Sequence, residues 1–189
     1  MQAYPELKPR HIEFIRAQHM FFIATAPLAA DGHVNLSPKG YDSFAVLDPG
    51  RVAYLDLGGS GIETHAHVQE NGRICVMFCG FEDMPLILRL YGQGYSHVFG
   101  SPQFAALRGH FPTIKVPVRG IIEIALTRVQ DSCGWGVPHY AYQGPRTKLL
   151  EHNQGRTQEQ YIEHRYEKNT TSIDGLPGLG RPARMPEGV

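Results

Sequence analysis

The segment from Arg51 to Asn71 carries the clearest chemical pattern in the chain. A predicted strand is followed by Gly58-Gly59-Ser60-Gly61 and then by a predicted helix. Free N–H groups at the start of a helix bind anions, and glycines let a phosphate approach the backbone closely. The spacing matches neither a Walker A loop nor a dinucleotide-binding GxGxxG motif, and Glu63 in the first turn repels an anion. An anion site and an ordinary capped helix after a strand are therefore equally weighted interpretations.

Polar side chains alternate along the extended segment VNLSPKGYD, residues 34–42. Asn35, Ser37 and Lys39 share one face of a strand if Pro38 does not bulge it. Three aligned polar groups can contact a ligand, but a solvated strand face is the more frequent outcome of such alternation. Lys39 becomes a phosphate partner only if this strand lies beside the glycine-rich junction.

The single tryptophan, Trp135, stands between two glycines in the sequence DSCGWGVPHY. Glycine and proline break regular structure, so this stretch is predicted to be a loop. An aromatic ring on a loop is a candidate for stacking on a planar ligand. A tryptophan that fills the end of a barrel has equal weight, because tryptophan is buried on average.

The elements that position these residues are mostly short strands bounded by Gly, Pro or Asp. About seven strands are predicted, at His19–Ala26, residues 33–38, Ser43–Leu47, Arg51–Leu57, Arg73–Cys79, Leu86–Tyr91 and Arg119–Val129. The turn Asp48-Pro49-Gly50 is typical of a hairpin. Neighbouring strands should therefore be antiparallel, in a sheet that curls into a barrel.

Helices are predicted where capping patterns occur. Their positions are Pro9–Gln18, a capping box at Ser60–Glu63 that opens a helix to about Glu70, Ser101–Gly109, and a second capping box that begins at Thr157. The sequence after Asn169 has too few apolar residues to form an element of its own. We expect it to be disordered or to lie on a partner.

Composition excludes several classes of protein. The 189 residues contain 18 Lys+Arg and 18 Asp+Glu, without the basic excess that nucleic-acid binding requires. The apolar runs are shorter than the ~20 residues that span a bilayer, and the amino-terminal sequence lacks the layout of a secretory signal. We expect a soluble, cytoplasmic protein that binds neither nucleic acid nor membrane, with reduced thiols.

Four stretches, FFIATA, DGHVNLSPKGYD, RVAYLDLGGSGIETHAHVQENGRICVMF and LRLYGQG, resemble the FMN-binding split-barrel family related to pyridoxamine 5'-phosphate oxidase. The resemblance covers about residues 10–130, and DSCGWGVPHYAY and KNTTSIDGLPGL are similar to the tail of one branch of that family. It implies a mainly β fold, a six-stranded antiparallel Greek-key split barrel with flanking helices. We assign residues 1–150 to this domain and residues 151–189 to a C-terminal helix and extended tail.

The resemblance also implies a homodimer with two FMN sites at its interface. The residues that fall on the family's cofactor contacts are Ser37 and Lys39 on one strand, Tyr54, Leu55 and Asp56 at the pyrimidine edge, Ser60, Gly61 and Thr64 at the phosphate junction, Arg89 from the partner subunit, and the late aromatic Trp135. Family members carry Arg and Lys at the junction where this chain has Gly61 and Ile62. Phosphate binding is therefore expected to depend on backbone N–H groups and Lys39, and another flavin remains open.

The function that follows is transfer of a hydride or an electron pair between a bound FMN and an unidentified small molecule. Two alternatives remain at this point. One is a module that holds a flavin, deazaflavin or haem-like ligand without turnover. The other is a structural dimer in which the glycine-rich junction is only a turn.

Overall fold

The computed structural model describes residues 2–181, and within that range the strands form one antiparallel sheet. The eight strands are β1 Gln2–Tyr4, β2 Phe21–Thr25, β3 Asn35–Lys39, β4 Phe44–Asp48, β5 Arg51–Asp56, β6 Arg73–Cys79, β7 Leu86–Val98 and β8 Gly120–Cys133. The helices are α1 Pro9–Arg16, α2 Glu63–Glu70, α3 Pro102–Arg108, α4 Lys148–Asn153 and α5 Gln158–Lys168. Within residues 2–181, no helix is both long and apolar enough to cross a lipid bilayer.

The sheet runs in the order β3-β2-β6-β7-β8-β5-β4, and β1 adds to β8. Its longest pairing joins β7 and β8, from Leu86 opposite Cys133 to Val98 opposite Gly120. The register of this pair shifts at Gly92, where a Cβ atom would clash with the carbonyl oxygen of Ala125. Such a bulge bends a strand, so Gly92 allows two long strands to serve both halves of the sheet.

The main core is formed by the buried side chains that alternate with exposed ones along the strands. Leu88 and Leu90 are fully buried on one face of β7, as the period-2 pattern predicts. In β5 the side chains of Val52 and Tyr54 enter this main core, while Leu55 packs on the other side of the strand in a second cluster with α3. Strand β5 is therefore buried on both faces and paired along both edges.

The mainly β, antiparallel split-barrel class is confirmed, with eight strands rather than the expected six. Strand β1 was not predicted from the sequence, because three largely exposed residues carry no pattern of their own. Gln2–Tyr4 becomes a strand only by pairing with residues 129–131 of β8.

The predicted capping box at Ser60 is wrong. Helix α2 begins at Glu63, and its N-cap residue, Ile62, makes no side-chain cap hydrogen bond. Ser60 stays in an exposed loop because the carbonyl groups of that loop are bound by the side chains of Arg119, Arg165 and Asn169, which prevents earlier helical pairing.

The tail after Asn169 is ordered on its own chain as far as residue 181, so the expectation of disorder is wrong for residues 170–181, and contact of the tail with a partner stays a prediction. Gly178 N–H donates to the carbonyl of Thr170 at 2.8 Å, and Leu179 N–H donates to that of Asn169 at 2.7 Å. Leu179 packs with Ile62 against α5. The rest of the expected tail, residues 182–189, lies outside the described residues.

Candidate functional site

Strand β3 presents a polar face to the interior of the sheet. Its residues Asn35, Ser37 and Lys39 lie opposite Thr25, Ile23 and Phe21 of β2, which are all buried. Leu36, on the other face, is 63% exposed. Pro38 keeps its place in the ladder, so the predicted alignment of the three polar side chains is confirmed.

This polar face lies against the first turn of α2. The amide Nδ2 of Asn35 donates to Thr64 Oγ1 at 2.9 Å and to Thr25 Oγ1 at 3.1 Å. Thr25 in turn hydrogen-bonds His67 of the same helix at 3.0 Å. The strand and the helix start are thus side by side, which is the condition under which Lys39 becomes a candidate phosphate partner.

Ser37 and Lys39 have unused polar groups. Ser37 Oγ is buried and finds no hydrogen-bond partner among residues 2–181, which is unusual for a buried hydroxyl. Lys39 is half-buried and makes no ion pair with a described residue. Burial lowers the pKa of Lys39; the Asp56 carboxylate opposes that shift and the Arg119 charge adds to it. Both groups can therefore bind a ligand without breaking an existing hydrogen bond or ion pair.

A buried ion pair stands behind the glycine-rich junction. Arg119 Nε donates to Asp56 Oδ2 at 2.8 Å and its Nη2 donates to Oδ1 at 3.2 Å. Burial alone would raise the pKa of Asp56, but the charges of Arg119 and Lys39 hold it below its usual range. Asp56 also accepts the N–H of Gly58 at 3.1 Å, so the pair fixes the exit of β5.

Three side chains hold the carbonyl groups of the junction from one side. Arg165 Nη1 donates to Gly59 O at 2.7 Å, Asn169 Nδ2 donates to Ser60 O at 3.1 Å, and Arg119 Nη1 donates to Gly61 O at 2.8 Å. Arg119 Nη1 also donates to Asn169 Oδ1 at 3.0 Å, so the donors lie together. We call residues 58–62, held in this way, the braced loop.

The brace sets the direction of the loop's N–H groups. In a trans peptide the N–H of one residue points opposite to the carbonyl of the residue before it. The N–H groups of Ser60, Gly61 and Ile62 therefore point away from the side chains that bind the preceding carbonyl groups, and no residue in 2–181 accepts a hydrogen bond from them. Successive N–H groups on one side of a loop form an anion-binding concavity.

Glu63 is the feature that opposes an anion here, as its sequence position indicates. A Cβ atom on Gly61 would clash with the Glu63 carboxylate, and Glu63 Oε1 accepts the N–H of Ile173 from the tail. The negative charge therefore lies beside the braced loop. The favourable interactions of a bound anion with the N–H groups and Lys39 must therefore exceed its repulsion by Glu63.

The residues predicted at the pyrimidine edge are engaged within the chain. Tyr54 and Leu55 are each 1% exposed, and their strand is paired with β4 and β8. Asp56 is committed to Arg119. The Tyr54 side chain is therefore buried and the Asp56 carboxylate is committed to Arg119, so both support the braced loop from behind, while Leu55 lines an adjoining cleft.

Arg89 and Trp135 do not join the other predicted residues within one chain. Arg89 lies between the buried Leu88 and Leu90, so it occupies the outer face of β7, where its Nη1 donates to Ser132 Oγ at 3.3 Å. Trp135 is 84% exposed, so the alternative of a tryptophan filling the barrel end is wrong for the single chain.

Comparison of the sequence with protein-family profiles places these observations in a known family. The profile described as pyridoxamine 5'-phosphate oxidase matches residues 7–109, more than half of the chain. The chain belongs to the pyridoxamine 5'-phosphate oxidase family. The matched part contains β3, the braced loop and α2, whereas Arg119, Arg165 and Asn169 lie beyond it.

Individual members of the pyridoxamine 5'-phosphate oxidase family support the same assignment. The family protein ustO of Aspergillus flavus is 36% identical over 194 residues, which cover 93% of this chain and 77% of that protein. A putative pyridoxamine 5'-phosphate oxidase from Lactobacillus delbrueckii has a TM-score of 0.52 at 16% identity, over 67% of this chain and 95% of that one. HupZ of Group A Streptococcus has a TM-score of 0.51 at 17% identity, over 71% and 100%. The two crystal structures indicate a shared fold.

Sequence reasoning missed the residues that form the brace. The only signal in the sequence was Asp56, a carboxylate at the end of an otherwise apolar strand, because a buried carboxylate needs a cationic partner. The pattern did not identify that partner as Arg119, which is 63 residues away.

Proposed function

We propose that this protein is a flavoprotein that binds FMN and transfers a hydride or an electron pair to or from a small molecule. The observation that carries the proposal is the brace, which binds three successive carbonyl groups of the loop and leaves the N–H groups of Ser60, Gly61 and Ile62 without an acceptor, next to the strand that carries Lys39. Membership of the pyridoxamine 5'-phosphate oxidase family supports a flavin as the phosphate-bearing ligand.

The described residues fit a phosphate-tailed cofactor. The braced loop and the start of α2 would hold the phosphate through backbone N–H groups, favoured by the helix dipole. Lys39 would supply the positive charge, and the unpartnered Ser37 hydroxyl would bond the cofactor. Thr64 is placed by Asn35 at the same helix start. Because the brace fixes the loop in advance, binding needs little ordering of the backbone.

When bound, FMN supplies two-electron redox chemistry of its own. The contribution of this chain is to hold the phosphate, to orient the cofactor and to provide a dry interior face. Tyr54, Leu55 and Asp56 serve this arrangement by fixing the end of β5, and their contact with the pyrimidine edge of the flavin stays a prediction.

We infer that the functional unit is a homodimer, with Arg89 and Trp135 each acting on the site of the other subunit. Arg89 lies on the opposite face of the sheet from Ser37 and Lys39, so within one chain it cannot reach the cofactor that they hold. A large exposed ring such as Trp135 is typical of an interface residue. Light scattering should give twice the mass of the chain, and a monomer that binds FMN would contradict the inference.

Arg89→Ala tests the partner contact. It should weaken FMN binding while the dimer mass persists, because the cationic side chain is lost from the neighbouring site. Arg128→Ala is the control, since Arg128 is an exposed arginine on β8 that neighbours β7. Equal FMN affinities for both variants would remove Arg89 from the site.

Lys39→Ala tests the cofactor site itself. Titration of the ligand-free protein with FMN, followed by flavin fluorescence, should show binding weaker by about 1.5–3 kcal/mol, the contribution of a hydrogen bond to a charged group. Lys115→Ala, in an exposed loop, should leave the affinity unchanged. Unchanged affinity in Lys39→Ala would contradict the assignment.

The redox part of the proposal needs its own measurement. FMN-loaded protein should lose its visible flavin absorbance under anaerobic conditions when a suitable hydride donor, NADH or NADPH, is added. A cofactor that stays oxidised with these donors and with every candidate substrate would favour a module that holds the flavin without turnover.

A further inference from the structure

The carboxylate of Glu63 has a defined position beside the braced loop. An ideal Cβ atom on Gly61 would lie 2.1 Å from Glu63 Oε2. That oxygen is therefore closer to the Gly61 Cα than about 3.8 Å, the spacing of neighbouring Cα atoms. Glu63 Oε1 accepts the N–H of Ile173 at 3.4 Å. The carboxylate thus contacts both the braced loop and the tail.

The glycine at position 61 leaves room for this carboxylate. Gly61 does not have a left-handed φ angle, so its backbone conformation does not require glycine. Any residue with a Cβ atom would instead meet the Glu63 carboxylate. A negative charge in the first turn also interacts favourably with the helix dipole, but that interaction does not need contact with residue 61. The dipole therefore does not account for the place of the carboxylate against the loop.

The charged groups around Glu63 do not neutralise it. Among residues 2–181, no cationic side chain forms an ion pair with its carboxylate. Arg119 and Arg165 donate to carbonyl groups of the loop. Burial lowers the pKa of both His65 and His67, so these rings are uncharged at about pH 7.5. The other charged groups on adjoining elements are Asp56 paired with Arg119, His33 paired with Asp174, Lys39 and Glu70.

A carboxylate beside an anion site distinguishes the protonation states of the anion. It only accepts hydrogen bonds, so it repels an oxyanion whose oxygens are all ionised. A phosphate monoester has a second pKa near 6, and its singly protonated form has a P–OH group that can donate. A hydrogen bond from O–H to a carboxylate is charge-assisted and strong. Glu63 therefore opposes a dianion but favours a phosphate that keeps one proton.

We propose that Glu63 selects a phosphate ester in its singly protonated form, by accepting a hydrogen bond from the P–OH group while N–H groups of the braced loop hold other phosphate oxygens. A phosphate oxygen bonded to the Gly61 N–H can reach Glu63 Oε2, because that carboxylate oxygen lies against the same residue. When the dianion binds at neutral pH, one proton passes from solvent to the complex and lies between the phosphate and Glu63. The identity of the ester as FMN rests on the proposed function.

A count of protons tests the proposal. Calorimetric titration of ligand-free protein with FMN at about pH 7.5, in two buffers of different ionisation enthalpy, measures the protons taken up. We expect about one proton per FMN, with affinity falling about tenfold per pH unit between about pH 7 and pH 8.5. Glu63→Gln should abolish most of the uptake and flatten the pH dependence, because its amide can donate to the dianion.

Two further variants accompany Glu63→Gln. Glu63→Asp keeps the charge but withdraws it from Gly61, so proton uptake should also fall. Glu70→Gln is the matched control in the last turn of the same helix, where Glu70 Oε2 accepts the N–H of Leu28 at 2.9 Å. It should bind FMN with the proton count of the parent protein. Thermal unfolding shows that each variant is folded.

Inorganic phosphate and sulfate test the selectivity without a flavin. Both are tetrahedral oxyanions, but sulfate carries no proton near neutral pH and would face Glu63 with an ionised oxygen. Calorimetry at about pH 6 should show phosphate binding at least about tenfold more tightly than sulfate, the effect of one hydrogen bond to a charged group. Glu63→Gln should remove most of this preference.

The outcomes separate this inference from the proposed function. FMN binding without proton uptake, or with an uptake that Glu63→Gln leaves unchanged, overturns the role of Glu63 and leaves the flavin assignment standing. Phosphate binding that is selective over sulfate and depends on Glu63, without any binding of FMN, supports the selectivity and overturns the flavin assignment. Equal affinities for phosphate and sulfate overturn the selectivity. Absence of binding by FMN and by both oxyanions contradicts both proposals.

Discussion

Ser37 and Lys39 differ from the other polar residues of the interior face because their bonding capacity is not used within the chain. Asn35 is satisfied by Thr64 and Thr25, whereas Ser37 Oγ has no partner in residues 2–181. A buried, unsatisfied hydroxyl destabilises a fold. Its presence beside an unpaired ammonium group is understandable if a ligand supplies the missing bond.

Ser37→Ala separates a role of Ser37 in ligand binding from a role in the stability of the fold. In the ligand-free protein the variant should be as stable as the parent or slightly more stable, since it removes an unsatisfied polar atom. FMN binding should weaken by about 0.5–1.5 kcal/mol, the net contribution of one hydrogen bond. Thermal unfolding with and without FMN measures both effects. A destabilised ligand-free variant with unchanged FMN affinity would show that Ser37 is structural.

His33 and Asp174 form a pH-dependent clamp between the β2–β3 loop and the tail. His33 Nδ1 lies 2.6 Å from Asp174 Oδ1, and the His33 N–H donates to Oδ2 at 2.8 Å. The hydrogen bond with Asp174 and its charge raise the pKa of His33, and the bond with His33 lowers the pKa of Asp174. The histidine contribution is lost as pH rises through its raised pKa, and the aspartate contribution is lost as pH falls through its lowered pKa.

The clamp should therefore stabilise the protein most between about pH 4 and pH 6.5, the ordinary pKa values of the two groups. His33→Gln should lower the melting temperature more at about pH 5.5 than at about pH 8.5, and added salt should reduce the difference because the His33 side chain is 71% exposed. His110→Gln, at another exposed histidine, is the control. The same loss at both pH values would rule out an ionic clamp.

At the scale of elements, the braced loop depends on partners from distant parts of the chain. Arg119 immediately precedes β8, Arg165 lies in the last turn of α5, and Asn169 is the C-cap residue of that helix. Their three bonds turn the loop carbonyl groups inward, which leaves the N–H groups outward. The geometry that we interpret as an anion site is therefore produced by side chains that never touch the anion.

Arg119→Met tests the brace. Loss of the cation leaves Asp56 charged and buried, so the free energy of unfolding should fall by about 3–5 kcal/mol, measured by urea denaturation. Arg51→Met provides the comparison on the neighbouring strand, because Arg51, which pairs with Asp48 and Glu123, is 54% exposed and ion pairs at the surface contribute little. Similar stabilities for the two variants would contradict a structural role for the buried pair.

The strands were predictable because alternation in β2, β5 and β7 reflects burial of one or both faces, which is a local property of the sequence. The polar alignment of Asn35, Ser37 and Lys39 was predictable for the same reason. The start of α2 was not, since Ser60 satisfies the capping pattern but its carbonyl is bound by Asn169 across 109 residues. The course of residues 140–146 was also missed, because the contacts of Tyr142 with His19 and of Arg146 with Tyr41 leave no periodic signal.

At the scale of the whole molecule, the part of the chain after residue 109 completes the candidate site that the first half outlines. The family profile ends at residue 109, and the residues after it supply the side chains of the brace and the tail that packs Leu179 on Ile62. The interior polar groups of β3 and the braced loop thus depend on contacts with the later part of the chain. Relatives that share the barrel but differ after this point are expected to differ in ligand.

The most direct test of the account is the ratio of affinities for FMN and riboflavin, measured by calorimetry on ligand-free protein. The two ligands share the flavin ring and differ in the phosphate, which is the group assigned to Lys39 and the braced loop. FMN should bind more tightly by about 1.5–3 kcal/mol or more, since its phosphate makes charge-assisted hydrogen bonds. Equal affinities, or no binding of either flavin, would contradict the assignment of the braced loop as a phosphate site.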